Sequence, residues 1–125
     1  MKQQINTFEV LFPYIDRHGV YLCEDMHTSY WPKWGGGYKK RSTFVEYSKN
    51  LIDYINAWHS VQPTRLSVTE FTRSAHSLHY YDSILVIEKR PIEEPFELKT
   101  GTKEIPNYHK PKSLFKRLKK WLYRG

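Results

Sequence analysis

The sequence of 125 residues contains one cysteine, Cys23, and no long hydrophobic run. A single thiol excludes an internal disulfide framework, which favours a reducing, cytoplasmic location. No basic residue adjoins Cys23, so we expect a buried, inert thiol rather than a nucleophile. The longest aliphatic run, residues 84–87, is far too short to cross a bilayer, and the amino-terminal residues lack the architecture of a signal peptide.

Acidic residues are absent from the end of the chain. The net charge is +7, but residues 91–125 hold nine of the basic residues and only four acidic ones, with no acid from Lys110 onward. Apolar residues at helical spacing in this tail predict a basic amphipathic helix: Leu114, Phe115, Leu118, Trp121 and Leu122. Such a helix is typical of contact with an anionic membrane surface, here through residues 112–124 at the inner face of the membrane. The alternative is that the helix docks on its own domain or on another subunit. Both interpretations stay open.

Apolar periodicity predicts two helices. The first covers residues 2–15, and Pro13 predicts an end or kink near Phe12. The second begins at a capping-box pattern formed by Thr43 and Glu46 and ends near His59. Their predicted apolar faces are Ile5, Phe8, Leu11, Phe12 and Ile15 in the first, and Phe44, Tyr47, Leu51, Tyr54, Ile55 and Trp58 in the second.

Three strands complete the pattern. Residues 20–23 are apolar on both faces, which predicts the buried interior of a parallel sheet. A short helical turn at residues 68–73 precedes a hairpin of residues 76–81 and 84–89, joined at Asp82 and Ser83. The last strand is also apolar on both faces, so we expect it to be central, with the strand at 20–23 as its second neighbour. The sequence thus predicts an α/β fold.

Two adjacent carboxylates, Glu24 and Asp25, directly follow the first strand. Ligands bind at the carboxyl ends of strands in open α/β sheets, and Mg²⁺ prefers oxygen ligands on a rigid support. A solvent-exposed pair that only ends a strand is the alternative. The long loop that follows, residues 26–42, is rich in aromatic residues and glycine, which is typical of a functional loop.

Four segments carry a family resemblance: TFEVLFPYI (7–15), GVYLCEDMHTSYWPKWGGG (19–37), TFVEYSKNLIDYIN (43–56) and SLHYYDSILVIEK (77–89). Together they resemble the carboxyl-terminal half of a class I S-adenosylmethionine-dependent methyltransferase. The similarity is to the Mg²⁺-dependent sugar O-methyltransferases of macrolide biosynthesis and their cephalosporin-hydroxylase-like relatives. The resemblance implies a partial Rossmann-like fold with the last three strands of the sheet and flanking helices.

The resemblance also implies a function, which is methyl transfer from S-adenosylmethionine to a sugar or glycan hydroxyl. Glu24 and Asp25 match the family's metal-binding pair. The family's earlier Asp, its general base and its cofactor-binding strands have no counterpart, and we expect them upstream of Met1. The chain is therefore expected to be a fragment, or a frame started at an internal methionine, and to be at best marginally stable alone because the edge of its first strand is bare.

Five residues are candidate substrate contacts. His27 lies just beyond the carboxylate pair and is either such a contact or a loop histidine bonded to backbone. Aromatic rings in the loop could form a wall for a sugar ring or simply pack the loop. The end of the strand at 76–81 lies on the same active face if it runs parallel to the strand at 20–23. The candidates are His27, Tyr30, Trp31, His79 and Asp82, with Trp34 as a further wall residue.

The resulting prediction divides the chain into a methyltransferase half-domain, residues 1–90, and a linker with the basic tail, residues 91–125. A non-catalytic half-domain that pairs with another chain is the alternative function, and a homo-oligomer is left open. A nucleic-acid binder is disfavoured, because the basic residues lie apart from the aromatic loop, whereas a single-strand groove interleaves them.

Overall fold

The computed structural model describes residues 2–101. Three helices and three strands follow in the order α1 (Lys2–Leu11), β1 (Val20–Cys23), α2 (Phe44–Ile55), α3 (Glu70–Ser74), β2 (Ala75–Tyr81) and β3 (Ile84–Lys89). Short 3₁₀ helices lie at Phe12–Tyr14, Met26–Tyr30, Pro32–Trp34 and Ala57–His59. Every predicted helix and strand of this part is present, and the α/β class is confirmed.

The last strand in the sequence lies in the middle of the sheet. The strand order is β1-β3-β2, and β3 pairs antiparallel with both neighbours. The prediction of a central β3 with the strand at 20–23 beside it is therefore confirmed. Because β1 and β2 are both antiparallel to β3, they run in the same direction, and their carboxyl ends lie at the same end of the sheet.

The core lies between the helices and one face of this sheet. Tyr21 and Cys23 of β1 pair with Ile87 and Leu85 of β3, and all four side chains are buried. Aromatic rings of the helices cover them, with Phe8 edge-on to Tyr21 at a centroid distance of 5.1 Å. The helical side of the cluster is Phe8, Phe12, Phe44, Val45 and Leu51, with Tyr47 and Phe71 packed against it. Burial of large apolar side chains of this kind contributes about 1.5–3 kcal/mol each.

The ends of the helices agree with the sequence prediction except at the end of α2, which lies at Ile55 instead of near His59 and is followed by the 3₁₀ helix Ala57–His59. Helix α1 ends at Leu11 and gives way to a 3₁₀ turn that contains Pro13. The hydroxyl of Thr43 accepts a hydrogen bond from the backbone N–H of Glu46 and caps α2, while the Glu46 carboxylate pairs with Lys49. Leu11 departs from the predicted apolar face, because it is about half exposed at the end of the helix.

Strand β1 differs from its prediction as a strand buried on both faces. Val20 and Leu22 are 54% and 52% exposed, because they point away from the helices toward a sheet face that no described element covers. The edge of β1 opposite β3 also has no partner strand among residues 2–101. The structure therefore shows an antiparallel edge strand with one apolar face in solvent.

The backbone divides into two units, Met1–Pro95 and Phe96–Gly125. Residues 96–101 of the second unit contain no helix or strand. The predicted basic helix of residues 112–124 lies outside the described residues, and the predicted boundary at residue 90 stays a prediction. Among residues 2–101, no helix is long and apolar enough to cross a membrane.

Candidate functional site

The two adjacent carboxylates lie where β1 ends, and both residues are exposed. The backbone of Asp25 is in the left-handed region, with φ of 57°, which Asp tolerates better than most residues. Its carbonyl accepts hydrogen bonds from the hydroxyl and the N–H of Thr28, at 2.7 and 3.1 Å. The carbonyl of Glu24 accepts one from the side-chain amide of Gln4 at 3.0 Å. These bonds fix the backbone and leave both carboxylates available.

The carboxylate pair fits Mg²⁺ by its chemistry but forms only part of a binding site. Carboxylate oxygens are the ligands that Mg²⁺ prefers. Within the part of the chain that the structure describes, no group of three or more His, Cys, Asp or Glu residues is placed to hold a metal ion. Nearby Cys23 is buried as predicted, and burial raises the pKa of its thiol, so the thiol is a poor hard-cation ligand and a poor nucleophile. A metal site here needs ligands beyond this pair.

The loop after β1 is fastened to the turn of the β2–β3 hairpin. The N–H of Met26 donates to the carbonyl of Ser83 at 3.0 Å, and the N–H of His27 donates to the Ser83 hydroxyl at 3.4 Å. The imidazole Nδ1 of His27 is also within hydrogen-bonding distance of that hydroxyl. Ser83 has a φ of 63°, so the turn holds a strained but permitted conformation. The two sequence segments therefore form one rigid rim.

A cleft of about 250 Å³ opens at this rim. Among the predicted contacts it brings together His27, Tyr30 and Asp82, which come from separate parts of the chain. Its other lining residues are Met26, Val45, Tyr80, Tyr81 and Ser83. Tyr80 is anchored by its hydroxyl, which donates to the carbonyl of Ser48 at 3.0 Å. The cleft has an aromatic wall and a few polar groups, the usual composition of a small-ligand site.

The other predicted contacts are placed differently. Trp31 is about half exposed and contacts the His27 ring edge-on, with centroids 4.6 Å apart. Trp34 is more exposed still. His79 does not line the cleft. Its Nε2 is 2.9 Å from the Ser77 hydroxyl and 3.7 Å from a Glu88 carboxylate oxygen. It lies on the opposite face of β2 from Tyr80 and two residues before Tyr81, which reaches the cleft at the end of the strand.

The glycine run acts as a packing element of the loop. A Cβ on Gly36 would lie 2.5 Å from the carbonyl oxygen of Ser29, so no side chain fits there. The N–H of Gly37 donates to that same carbonyl at 2.8 Å. The hinge of a mobile lid, which the sequence suggested, remains a prediction.

Ser83 and Tyr80 are the residues that the sequence-based list of contacts missed. The signal available for Ser83 was its position in a two-residue hairpin turn beside Asp82. A larger and more open depression of about 570 Å³ lies after α2, lined among others by Asp53, His59 and Arg65. We assign the site to the smaller cleft, because the carboxylate pair directly precedes Met26 and His27, which line it.

Comparison with known proteins identifies relatives of the chain. No family model matches the chain. It is 34% identical over 89 residues to 8-demethyl-8-alpha-L-rhamnosyl tetracenomycin-C 2'-O-methyltransferase of Streptomyces olivaceus, covering 69% of this chain and 23% of that protein. It is 33% identical over 86 residues to mycinamicin VI 2''-O-methyltransferase of Micromonospora griseorubida, covering 66% of this chain and 22% of the relative. Its homologues are sugar O-methyltransferases.

Solved structures give the same result. The methyltransferase MycE from the mycinamycin biosynthetic pathway, in complex with Mg and SAH, matches with a TM-score of 0.64 and 31% identity over 70% of this chain and 24% of that one. A second crystal form gives a TM-score of 0.65, with 28% identity over 85% and 27%. The resemblance found in the sequence and the partial methyltransferase fold are confirmed. The chain spans about a quarter of the length of these relatives.

Proposed function

We propose that residues 2–90 form the metal-binding and acceptor-binding part of an S-adenosylmethionine-dependent sugar O-methyltransferase. The observation that carries the proposal is the similarity to sugar O-methyltransferases over two thirds of the chain. The carboxylate pair at the end of β1 and the adjacent cleft support it. The acceptor would be a sugar or glycan hydroxyl, as the names of the relatives indicate.

The proposed reaction moves a methyl group from the sulfonium sulfur of S-adenosylmethionine to a hydroxyl oxygen. The carbon–sulfur bond breaks, a carbon–oxygen bond forms, and the hydroxyl proton passes to a base. Glu24 and Asp25 would hold Mg²⁺, which when bound to vicinal hydroxyls orients them and lowers the pKa of the attacking one. The rim residues would contribute positioning, which supplies a large part of the rate in such displacements.

The described residues fit the acceptor side of this reaction better than the donor side. His27, Tyr30 and Asp82 line the cleft, and Trp31 extends its aromatic wall beside His27. His79 has no part in our proposal. A third metal ligand, the base and the binding site for S-adenosylmethionine would come from polypeptide outside residues 2–101, because the described carboxylates and histidines make no metal cluster by themselves.

A chimera tests this function. Residues 2–90 replace the matching segment of MycE, and methylation of mycinamycin VI is measured with S-adenosylmethionine and Mg²⁺. The matched control chimera carries Glu24→Gln and Asp25→Asn, which keep the size of both side chains and remove their charges. We expect turnover by the first chimera and a loss of at least 100-fold in the second, the scale on which loss of electrostatic stabilisation acts.

Folding of both chimeras is checked by their thermal unfolding and by binding of SAH. Two folded chimeras with equal turnover would contradict the metal role of the pair. Alternatively, the first chimera folds and shows no turnover, while putting back the MycE segment restores activity. That result would contradict the proposal that residues 2–90 are competent for catalysis.

The alternative is a half-domain that pairs with another chain without catalysis. The open edge of β1 and the exposed Val20 and Leu22 favour it, since unpaired strand edges and apolar patches invite association. Sedimentation velocity of the purified chain distinguishes a monomer from a form that associates with another chain. A monodisperse monomer, unchanged by Leu22→Lys, would contradict this alternative and any homo-oligomer built through that face.

We keep a cytoplasmic location, and contact of residues 112–124 with the inner face of the membrane, as proposals. The sequence of the tail supports the second, because its basic and apolar residues alternate at helical spacing. Pelleting with anionic liposomes, with and without residues 110–125, tests it. Equal pelleting of both forms would contradict membrane contact through the tail.

A further inference from the structure

His27 is held by the turn of the β2–β3 hairpin through both its backbone and its ring. Its backbone N–H donates to the Ser83 hydroxyl oxygen at 3.4 Å, and its Nδ1 lies within hydrogen-bonding distance of that same oxygen. The neighbouring N–H of Met26 donates to the Ser83 carbonyl at 3.0 Å. One serine therefore sets the position of the histidine backbone and the orientation of its ring.

The hydroxyl of Ser83 has one hydrogen to donate and two lone pairs to accept with. The backbone N–H of His27 already uses one lone pair. Among the described residues, Nδ1 of His27 is the acceptor within reach of the hydroxyl hydrogen. If Nδ1 accepts, a neutral imidazole carries its hydrogen on Nε2. A hydrogen bond from a neighbouring residue to one ring nitrogen commonly selects the tautomer of a functional histidine in this way.

We infer that Ser83 fixes His27 as the Nε2–H tautomer, so that His27 donates a hydrogen bond to an oxygen of the sugar acceptor and is not the base of the reaction. Ser83 is then a positioning residue that acts through His27. The identity of the ligand rests on the proposed function, whereas the tautomer does not.

The surroundings of His27 suit this role. Trp31 contacts the ring edge-on at 4.6 Å with an interplanar angle of 62°, which limits its rotation. Asp82, the neighbour of Ser83, lines the same cleft and is an acceptor. A sugar hydroxyl both donates and accepts, so a donor from His27 and an acceptor from Asp82 match its two functions. Tyr30 and Tyr80 offer apolar ring surface to the sugar carbons.

Nitrogen NMR of the full 125-residue chain tests the tautomer directly. Ring nitrogens with and without hydrogen have well-separated chemical shifts, and the His27 signals are assigned by their loss in His27→Gln. In the unmodified chain we expect hydrogen on Nε2 and none on Nδ1. Ser83→Gly removes the hydroxyl and suits the positive φ, so it should give a mixture of the two tautomers.

The chain offers a matched control in a second serine–histidine pair. Ser77→Ala removes the hydroxyl that lies 2.9 Å from Nε2 of His79 and should leave His27 unchanged. Ser83→Asn keeps a donor and tolerates the positive φ, so it should restore the Nε2–H form in part. Hydrogen on Nδ1 in the unmodified chain, or an unchanged His27 in Ser83→Gly, would overturn the inference.

Titration with methyl α-L-rhamnopyranoside tests the donor role. We expect the sugar to shift the Nε2–H proton of His27, and its affinity to be about five-fold lower in Ser83→Gly, which corresponds to about 1 kcal/mol for one hydrogen bond. No response of His27 in the unmodified chain would overturn the donor role even with the expected tautomer. An inactive chimera combined with the expected NMR result would instead count against the proposed function alone.

Discussion

Lys89 is a buried lysine whose replacement tests how the first helix is held on the sheet. Only 6% of its surface is exposed, and its ammonium donates to the carbonyls of Phe12 at 3.0 Å and Ile15 at 2.8 Å, with Pro13 at 3.5 Å. These carbonyls lie in and just after the 3₁₀ turn that follows α1, and that of Phe12 also accepts from the N–H of Ile15 at 3.3 Å. The ammonium also lies 5.0 Å from the centre of the Phe12 ring. We expect Lys89→Met to lower the free energy of unfolding by about 3 kcal/mol.

The magnitude follows from the bonds that are lost. A hydrogen bond to a charged group contributes about 1.5–3 kcal/mol, and two of the three are short. Water can reach part of the site, since two of the three bonds are only partly buried, so the full sum is not expected. Methionine keeps the length and apolar stem of lysine, which isolates the loss of the ammonium. A loss of this size should lower the Tm by roughly 12–24 °C in a domain of this length.

Urea and thermal unfolding followed by circular dichroism measure the effect. Lys99→Met is the matched control, because Lys99 is exposed and its ion pair among residues 2–101 is with the exposed Glu97, so a change within about 0.5 kcal/mol is expected. A loss below about 1 kcal/mol in Lys89→Met would refute the reasoning and show that water replaces the ammonium at the end of α1.

Three further predictions concern the packing of α2 and the loop. Burial and, second, the nearby Glu9 raise the pKa of Tyr47 in the folded protein. Its contribution to stability is present below about pH 10 and should decline at higher pH, because the tyrosine ionises first in the unfolded chain. The Tm of Tyr47→Phe should therefore decline less than that of the unmodified chain between about pH 9 and 11. Gly36→Ala should lower the free energy of unfolding by about 1–3 kcal/mol, because its Cβ meets backbone atoms. Gly35→Ala has open space but a φ of 76°, and should lower it by about 1 kcal/mol. Equal losses of Tm in the two variants would contradict this difference. Thr43→Ala should cost about 1 kcal/mol by removing the cap of α2, whereas Thr43→Ser should retain most of it in urea unfolding.

The helices and strands followed well from local patterns. The period of apolar residues, Pro13 and the cap at Thr43 predict where α1 begins and ends and where α2 begins, because these signals act within a few residues of each other. The central place of β3 could also be predicted, since a strand apolar on both faces needs a neighbour on each side. The end of α2 and the exposure of Leu11 were not predicted, because the apolar period continues past Ile55 and includes Leu11 beside the buried Phe12.

The burial of β1 could not be predicted from its own residues. An apolar pattern shows what a strand is suited to contact, and the cover for Val20 and Leu22 is not among the described elements. The burial of Lys89 could not be predicted either, because a charged residue at a strand end normally faces solvent, and the carbonyls that its ammonium contacts follow α1, far away in the sequence.

The candidate site was predictable in part. Glu24 and Asp25 were found because they are adjacent in the sequence at the end of a strand. Asp82 was found because it follows β2, which was expected to run parallel to β1. Ser83 escaped prediction because its partner, His27, is distant in sequence and the contact depends on the hairpin turn reaching the loop. His79 does not line the cleft, and its role as a substrate contact stays a prediction, since the face on which it lies depends on the register of β2 with β3.

The strand order has a consequence for the time course of folding. Strand β1 is made before its described partner, β3, and two helices and β2 are made between them. Pairing between segments so far apart in sequence is slow, because the entropy of closing the long loop is lost before the contacts form. The rim that joins His27 to Ser83 depends on the same late event. Until β3 has been made, residues 20–23 lack this partner, and we expect the apolar strand to be a preferred site for chaperone binding during synthesis.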